Sequence, residues 1–219
     1  MFDAIAPTYD MLNTVLSGGF HRRWEAQLVR ALPGLPEGRA LDLCTGTGAL
    51  VPKLAARYAE VVGADISPKM LAVAHTRWKT ISNAKWLEAD AQHLAFEGEM
   101  FDVVTVSYGV RNLPDLSAGL AEIRRVLKVG GRVGILEFGT PRNKLWRAIF
   151  SLYSRFVIPT VGGMLSGERG AYEYLPKTAA AFPYGAAFEE LLRTAGLQPI
   201  TTTPLMGGVA YLYIAQRSV

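Results

Sequence analysis

The chain is short of the residues that build covalent or metal-based scaffolds. Cys44 is the one cysteine in 219 residues. That excludes an internal disulfide and a cysteine metal cluster, and it reads as a reduced, intracellular chain. The three histidines, His21, His75 and His93, stand far apart in sequence, with no metal-ligand spacing, and no metal is expected. No apolar run reaches the roughly eighteen uninterrupted residues that a transmembrane helix needs. The nearest stretch, Leu145 to Leu165, is broken by Arg147, Arg155, Pro159 and a Gly162-Gly163 pair. The opening Met1-Phe2-Asp3 lacks the basic region and apolar core of a secretory signal. Strong charge of one sign is missing too. The net charge is +4, and the basic residues are scattered apart from pairs such as Arg22-Arg23 and Arg124-Arg125. A nucleic-acid face needs a clustered basic stripe with interleaved aromatics, so no nucleic-acid partner is expected. Weak attraction to an anionic membrane surface remains compatible with the charge. The expected location is the cytoplasm, with peripheral contact at the inner face of the membrane left open, as is a homo-oligomer.

What is present is an ordinary globular balance, with 50% hydrophobic and 19% charged residues, enough apolar material for one sizeable core. Strand-like and helix-like segments alternate. Ala40 to Cys44, Glu60 to Asp65, Ala84 to Ala89, Phe101 to Tyr108 and Arg132 to Phe138 read as strands, several with β-branched enrichment. Helices are expected from Ala49 to Tyr58, from the Ser67-Pro68 start signal to Lys79, from Leu116 to Leu127 with a stop at Gly130-Gly131, and from Ala186 to Ala195. Two further strands, Pro199 to Thr203 and Val209 to Ala215, are joined by a link too short for a parallel crossover. The expected fold is α/β: a Rossmann-like, doubly wound, seven-stranded, mostly parallel sheet with an antiparallel last strand, the order of class I methyltransferases.

Asp42-Leu43-Cys44-Thr45-Gly46-Thr47-Gly48 sits where a strand turns into a helix. Glycine there lets the backbone approach a ligand, and the helix start offers free N–H groups to it. Dinucleotide folds share such a loop, but their third glycine is replaced by Val51. Two acidic strand ends follow, Asp65-Ile66 and Asp90-Ala91. Asp65 is placed to bind ribose hydroxyls. Asp90 can accept from an adenine amine while the Ala91 N–H donates to the ring. In order at successive strand ends, these features favour S-adenosylmethionine as cofactor over a nicotinamide dinucleotide. Taken singly, Asp65 and Asp90 also read as turn-capping acids. Cys44 reads as a small buried residue.

Four blocks then carry a resemblance: Tyr9-Asp10-Met11-Leu12-Asn13 through Ser17-Gly18-Gly19-Phe20-His21-Arg22-Arg23-Trp24; Val106 to Leu113, with Gly109-Val110-Arg111-Asn112; Leu136 to Pro141; and Tyr172-Glu173-Tyr174-Leu175 with Phe182-Pro183. Over essentially its whole length the chain resembles the menaquinone and ubiquinone biosynthesis C-methyltransferases. The resemblance implies methyl transfer from S-adenosylmethionine to a ring carbon of a prenylated hydroquinone. Demethylmenaquinol is the first choice of acceptor, with another lipid-like or phenolic acceptor or a non-catalytic scaffold as alternatives. Cofactor contacts are expected at Asp42, Gly46, Thr47, Gly48, Asp65, Ile66, Asp90, Ala91 and Ser107. Ala49 departs from the acidic residue that the family often has there, which leaves the methionine end of the cofactor less defined. The domain is expected to be single over 1–219. Helices over 1–35 and a hydrophobic insertion over roughly 143–184 would form the lid over the acceptor, with the apolar insertion suiting a polyprenyl tail.

A hydroquinone oxygen ionises near pH ~10, so the chemistry needs help at neutral pH. Candidates are His21, the one group with an ordinary pKa near neutrality, and Arg111, able to stabilise a developing phenolate. His21 also reads as a helix-capping histidine, and Arg111 as a loop-fixing ion pair with Asp115. Tyr9, Tyr108, Asn112, Phe150, Tyr153, Tyr172 and Tyr174 are the candidate acceptor contacts.

Overall fold

In the computed structural model the described residues are 9–157 and 181–218, with 6, 160, 178 and 179. Two helices come first, α1 (Tyr9–Ser17) and α2 (Phe20–Ala31). There follow β1 (Leu35–Leu43), α3 (Val51–Ala55), β2 (Tyr58–Asp65), α4 (Pro68–Arg77), β3 (Ala84–Glu88), β4 (Phe101–Ser107), α5 (Leu116–Val126) and β5 (Leu127–Phe138). Then come α6 (Lys144–Leu152), a π-turn (Tyr153–Val157), α7 (Ala186–Thr194), β6 (Leu197–Leu205) and β7 (Ala210–Arg217). The seven strands form one sheet in the order β3-β2-β1-β4-β5-β7-β6. β7 runs antiparallel to both β5 and β6, and the other pairs are parallel. This is the expected Rossmann-like methyltransferase architecture.

Strand periodicity explains why helices cover both faces. Leu41, Leu43, Val104, Val106 and Ile135 point into one buried cluster with Leu120, Ile123, Phe188 and Leu192 of α5 and α7. Ala40, Val61, Val103 and Leu136 point into the other, with Trp24, Leu28 and Val29 of α2 and Leu54 of α3. Central strands buried on both sides read as continuous apolar runs, and β1 and β4 do. Gly134 sets how closely α2 lies on β5, because a Cβ there would meet Leu28 Cδ1 at 2.6 Å.

Three boundaries differ from expectation. The helix after the glycine loop is only Val51–Ala55, because Tyr58 already opens β2. β1 starts at Leu35, with a register shift before Arg39. Gly130-Gly131 does not stop α5: the helix ends at Val126, and both glycines lie inside β5, where the pairing with β4 jumps between Leu127 and Arg132. The glycine pair serves that irregularity, since a Cβ at Gly131 would meet the Lys128 carbonyl at 2.8 Å.

Candidate active site

The carboxyl ends of β1, β2 and β4 meet at the glycine loop. Cys44, Gly46 and Gly48 all have positive φ, at 56°, 56° and 76°, so the chain turns sharply out of β1. Gly48 is required: a Cβ there would stand 2.5 Å from Trp86 Cη2. Beneath the loop Asp42 is buried and accepts hydrogen bonds from Thr45 Oγ1 at 2.5 Å and Thr105 Oγ1 at 2.7 Å. Burial pushes its carboxyl up to about 7, against the pull of the two hydroxyls. Asp42 is thus a strut under the loop as well as part of the wall of a small recess above it. Burial also pushes the Cys44 thiol up, which removes it as a nucleophile at neutral pH.

Asp65 accepts from the Gly46 N–H at 2.8 Å and the Ser67 N–H at 2.9 Å, tying β2 to the loop. Ile66 beside it is 64% exposed. Asp90 accepts from the Gln92 backbone and side chain at 2.9 and 3.1 Å, and these bonds hold it below the usual carboxylate range. Ala91 is buried. The turn-capping reading of both acids is therefore realised, alongside their position at successive strand ends. Thr47 donates its hydroxyl to Asp10 Oδ1 at 2.7 Å, and Asp10 also pairs with Arg77. Helix α1 is latched across the cofactor loop by this contact, which sequence reasoning missed although Asp10 lies in a block that it quoted.

Beside the recess lies a cavity of about 650 Å³, walled by α1, α2, the ends of β4 and β5, and α6. That volume is within the ~300–1,000 Å³ usual for small-molecule sites. Its lining includes Leu16, Phe20, Trp24, Phe138, Trp146 and Ile149. Of the expected acceptor contacts, Tyr108, Phe150 and Tyr153 line it, together with His21 and Arg111. Tyr153 donates to the Leu16 carbonyl at 2.6 Å, and Trp146 Nε1 donates to the Met206 carbonyl at 3.0 Å. The first part of the insertion is thereby pinned to α1 on one side and to the β6–β7 hairpin on the other. Asn112 sits back in the loop after β4 and donates to the Tyr108 carbonyl at 3.3 Å. Tyr172 and Tyr174 lie outside the described residues, as does the side chain of Tyr9.

Arg111 is not partnered by Asp115, which caps α5 through the Ala118 N–H. Its partner is Glu137, with Nη1 to Oε1 at 2.8 Å and both side chains almost wholly buried. Glu137 also accepts from the Arg111 and Phe138 N–H groups, at 3.3 and 2.8 Å, and Arg111 bonds the Tyr108 carbonyl. The guanidinium lies 5.0 Å from the Phe138 ring centre. Sequence reading missed Glu137 because the two residues are 26 apart and meet only through the β4–β5 register.

The recess and the cavity share Asn13, His21 and Tyr108 in their walls. A polar loop therefore meets a largely apolar chamber at three side chains.

The chain belongs to the ubiE/COQ5 methyltransferase family, whose model matches residues 1–217. It is 42% identical to the demethylmenaquinone methyltransferase of Thermus thermophilus, over 99% of this chain and 100% of that protein. It is 39% identical to the ubiquinone/menaquinone biosynthesis C-methyltransferase UbiE of Syntrophotalea carbinolica, over 100% and 93% of the two chains. Among solved structures, an S-adenosylmethionine-dependent methyltransferase from Thermotoga maritima superposes with a TM-score of 0.68 at 19% identity, each chain covered in full. The cyclase SpnF superposes at 0.72 with 17% identity, over 100% and 94%. The fold alone does not fix the chemistry; the family does so at the level of methyl transfer from S-adenosylmethionine. The site fits that cofactor. No described residue lies within 4 Å of where a Gly46 Cβ would stand, and the buried Ser107 Oγ at the end of β4 has no partner among the described residues. Among those residues no cluster of His, Cys, Asp or Glu could hold a metal ion.

Proposed function

We propose that the chain methylates a ring carbon of a prenylated hydroquinone, with demethylmenaquinol as the acceptor. The observation that carries this reading is the shared wall: a 650 Å³ chamber lined largely by apolar and aromatic side chains opens onto the same Asn13, His21 and Tyr108 as the recess over the cofactor loop. A fused aromatic ring needs apolar walls with few polar groups, and the reacting carbon has to sit where the two spaces join. The family relatives that act in menaquinone biosynthesis support the same acceptor.

Asp65, Asp90, Ala91, Ser107 and the Gly46-Thr47 backbone would hold S-adenosylmethionine. When bound, it supplies a methyl group made electrophilic by the sulfonium. The protein's share is alignment and exclusion of water. Trp24, Phe138, Trp146 and Phe150 hold the ring and keep water out, and Arg111 presents N–H groups where charge grows on the hydroxyl oxygen.

The outer face of the insertion extends this reading to a membrane surface. Leu145, Leu152 and Phe156 are 72%, 63% and 56% exposed, and Met11 of α1 is half exposed. Apolar side chains with basic neighbours such as Arg147 and Arg155 suit an interfacial position, from which a prenyl tail enters the cavity. Among the described residues no helix is long and apolar enough to cross a membrane. The experiment is methyl transfer by purified protein to reduced demethylmenaquinone and, side by side, to the benzoquinol precursor. The naphthoquinol is expected to be methylated; activity on neither quinol overturns the reading.

A further inference from the structure

We infer that His21 is the catalytic base, taking the acceptor's hydroxyl proton on Nε2 in a tautomer that Ser17 and Asn13 fix. The inference rests on the hydroquinone reading and deepens it.

The tautomer follows from counting hydrogens. Ser17 Oγ lies 2.6 Å from the Asn13 carbonyl and 2.7 Å from His21 Nδ1. Two oxygens 2.6 Å apart repel unless a hydrogen lies between them, and a carbonyl has none. The single Ser17 hydrogen is therefore donated to Asn13, and Ser17 must accept from His21. Nδ1 carries the proton, and Nε2 of the neutral ring keeps its lone pair. The His21 backbone N–H also points to Ser17 Oγ, at 3.5 Å, so the Gly18-Gly19 link between α1 and α2 folds the hydroxyl onto this histidine. Orientation of a base by a third group is the general pattern for an activated imidazole.

The place is right for the proton. His21 lines both the cofactor recess and the apolar cavity. Burial, Arg22 and Lys53 hold its pKa below the usual value, opposed by Asp10. The other ionisable groups around the two spaces are Glu25, Asp42, Cys44, Tyr108, Arg111, Arg147 and Tyr153. The ring is neutral at pH 7 and able to accept.

A base this weak suffices because of when it acts. A free hydroquinone is too weak an acid for imidazole, but as the ring carbon gives up its electron pair to the incoming methyl, the hydroxyl becomes strongly acidic. The O–H bond breaks and Nε2–H forms. When the ring carbon then sheds its own hydrogen to water, the oxygen regains its proton from His21. One proton leaves per methyl transferred, and the imidazole returns neutral. Ser17 is a positioning residue in this scheme.

The test has two arms. Nitrogen-15 NMR of the cofactor-free protein reads the His21 tautomer, expected as Nδ1–H in wild type and mixed in Ser17→Ala. Turnover is then followed against pH with reduced demethylmenaquinone. His21→Gln should lose on the order of 100-fold in kcat, with an unchanged thermal melt by circular dichroism, which shows that it is folded. Wild-type kcat should fall in acid as His21 is protonated, and His21→Gln should lack that limb. An Nε2–H tautomer in wild type overturns the inference, as does a His21→Gln variant with normal kcat beside an active wild type. An inactive wild type overturns the hydroquinone reading, and His21's role with it.

Discussion

The two halves of the site are built on opposite plans. The cofactor half is backbone: a strand end, a positive-φ turn, N–H groups and carboxylates that hold one another, all within a parallel sheet that many unrelated chemistries share. The acceptor half is side chain. Its walls come from α1 and α2 before the first strand and from α6 after the fifth, none of which the sheet requires. The cofactor half therefore belongs to the fold, the family marks the chain as a methyltransferase, and on the reading proposed above the acceptor half selects what is methylated. The contact between them is small and specific: Thr47 donates to Asp10, and Asn13, His21 and Tyr108 line both spaces.

The largest effect expected from breaking that division is at Arg111, which lines the acceptor half. Arg111→Ala strips Glu137 of its partner in a fully buried pair, and stability should fall by about 3–5 kcal/mol in chemical denaturation. Turnover should fall on the order of 100-fold, while cofactor affinity of the folded fraction holds. Arg111→Lys keeps the charge but loses the fork, and should retain part of both. Loss of cofactor binding as severe as the loss of turnover would place Arg111 in the cofactor half.

Next in size is Asp65→Ala, which should weaken S-adenosylmethionine by roughly 1–3 kcal/mol in calorimetry without altering the acceptor KM. Unchanged affinity in a folded variant removes Asp65 from the cofactor contacts.

These two residues also mark how far sequence alone reaches. The place of Asp65 at the end of β2, against the Gly46 loop, was legible because the acid, the preceding β-branched run and the loop are fixed by strand and turn chemistry close in sequence. The sheet order was legible for the same reason, from β–α alternation and a short final link. Glu137 was not, since its pairing with Arg111 depends on which strands become neighbours. Nor was Asp10, since nothing local says that its carboxylate crosses to Thr47. The cavity's apolar helix could be seen at Leu145 onward, but not that Tyr153 would anchor it to Leu16.

A pH-dependent effect separates the strut from the ligand contacts. Asp42's folded pKa of about 7 lies above its ordinary 3.8, so the folded state binds the proton more tightly than the unfolded state. The stability from this group is full below about pH 4 and is lost as pH rises toward 7. Asp42→Asn, neutral throughout, should lack that slope. Thermal melts of both proteins across this range are the check; parallel curves would mean that Asp42 titrates normally.

The smallest effect concerns the outer face. A Leu152→Ser/Phe156→Ser variant should sediment less with anionic vesicles than wild type. If both proteins stay in the supernatant, the segment only closes the cavity and meets no membrane.

The central claim, that the apolar chamber selects a prenylated naphthoquinol for ring methylation, is tested most directly by mass spectrometry of the product. Purified protein is given S-adenosylmethionine and chemically reduced demethylmenaquinone, with the oxidised quinone as control. The account predicts one added methyl on the ring of the reduced substrate and none on the oxidised one, whose ring carbon has no hydroxyl to push electrons. Methylation of the oxidised quinone, or of neither form by a protein that binds S-adenosylmethionine, would contradict it.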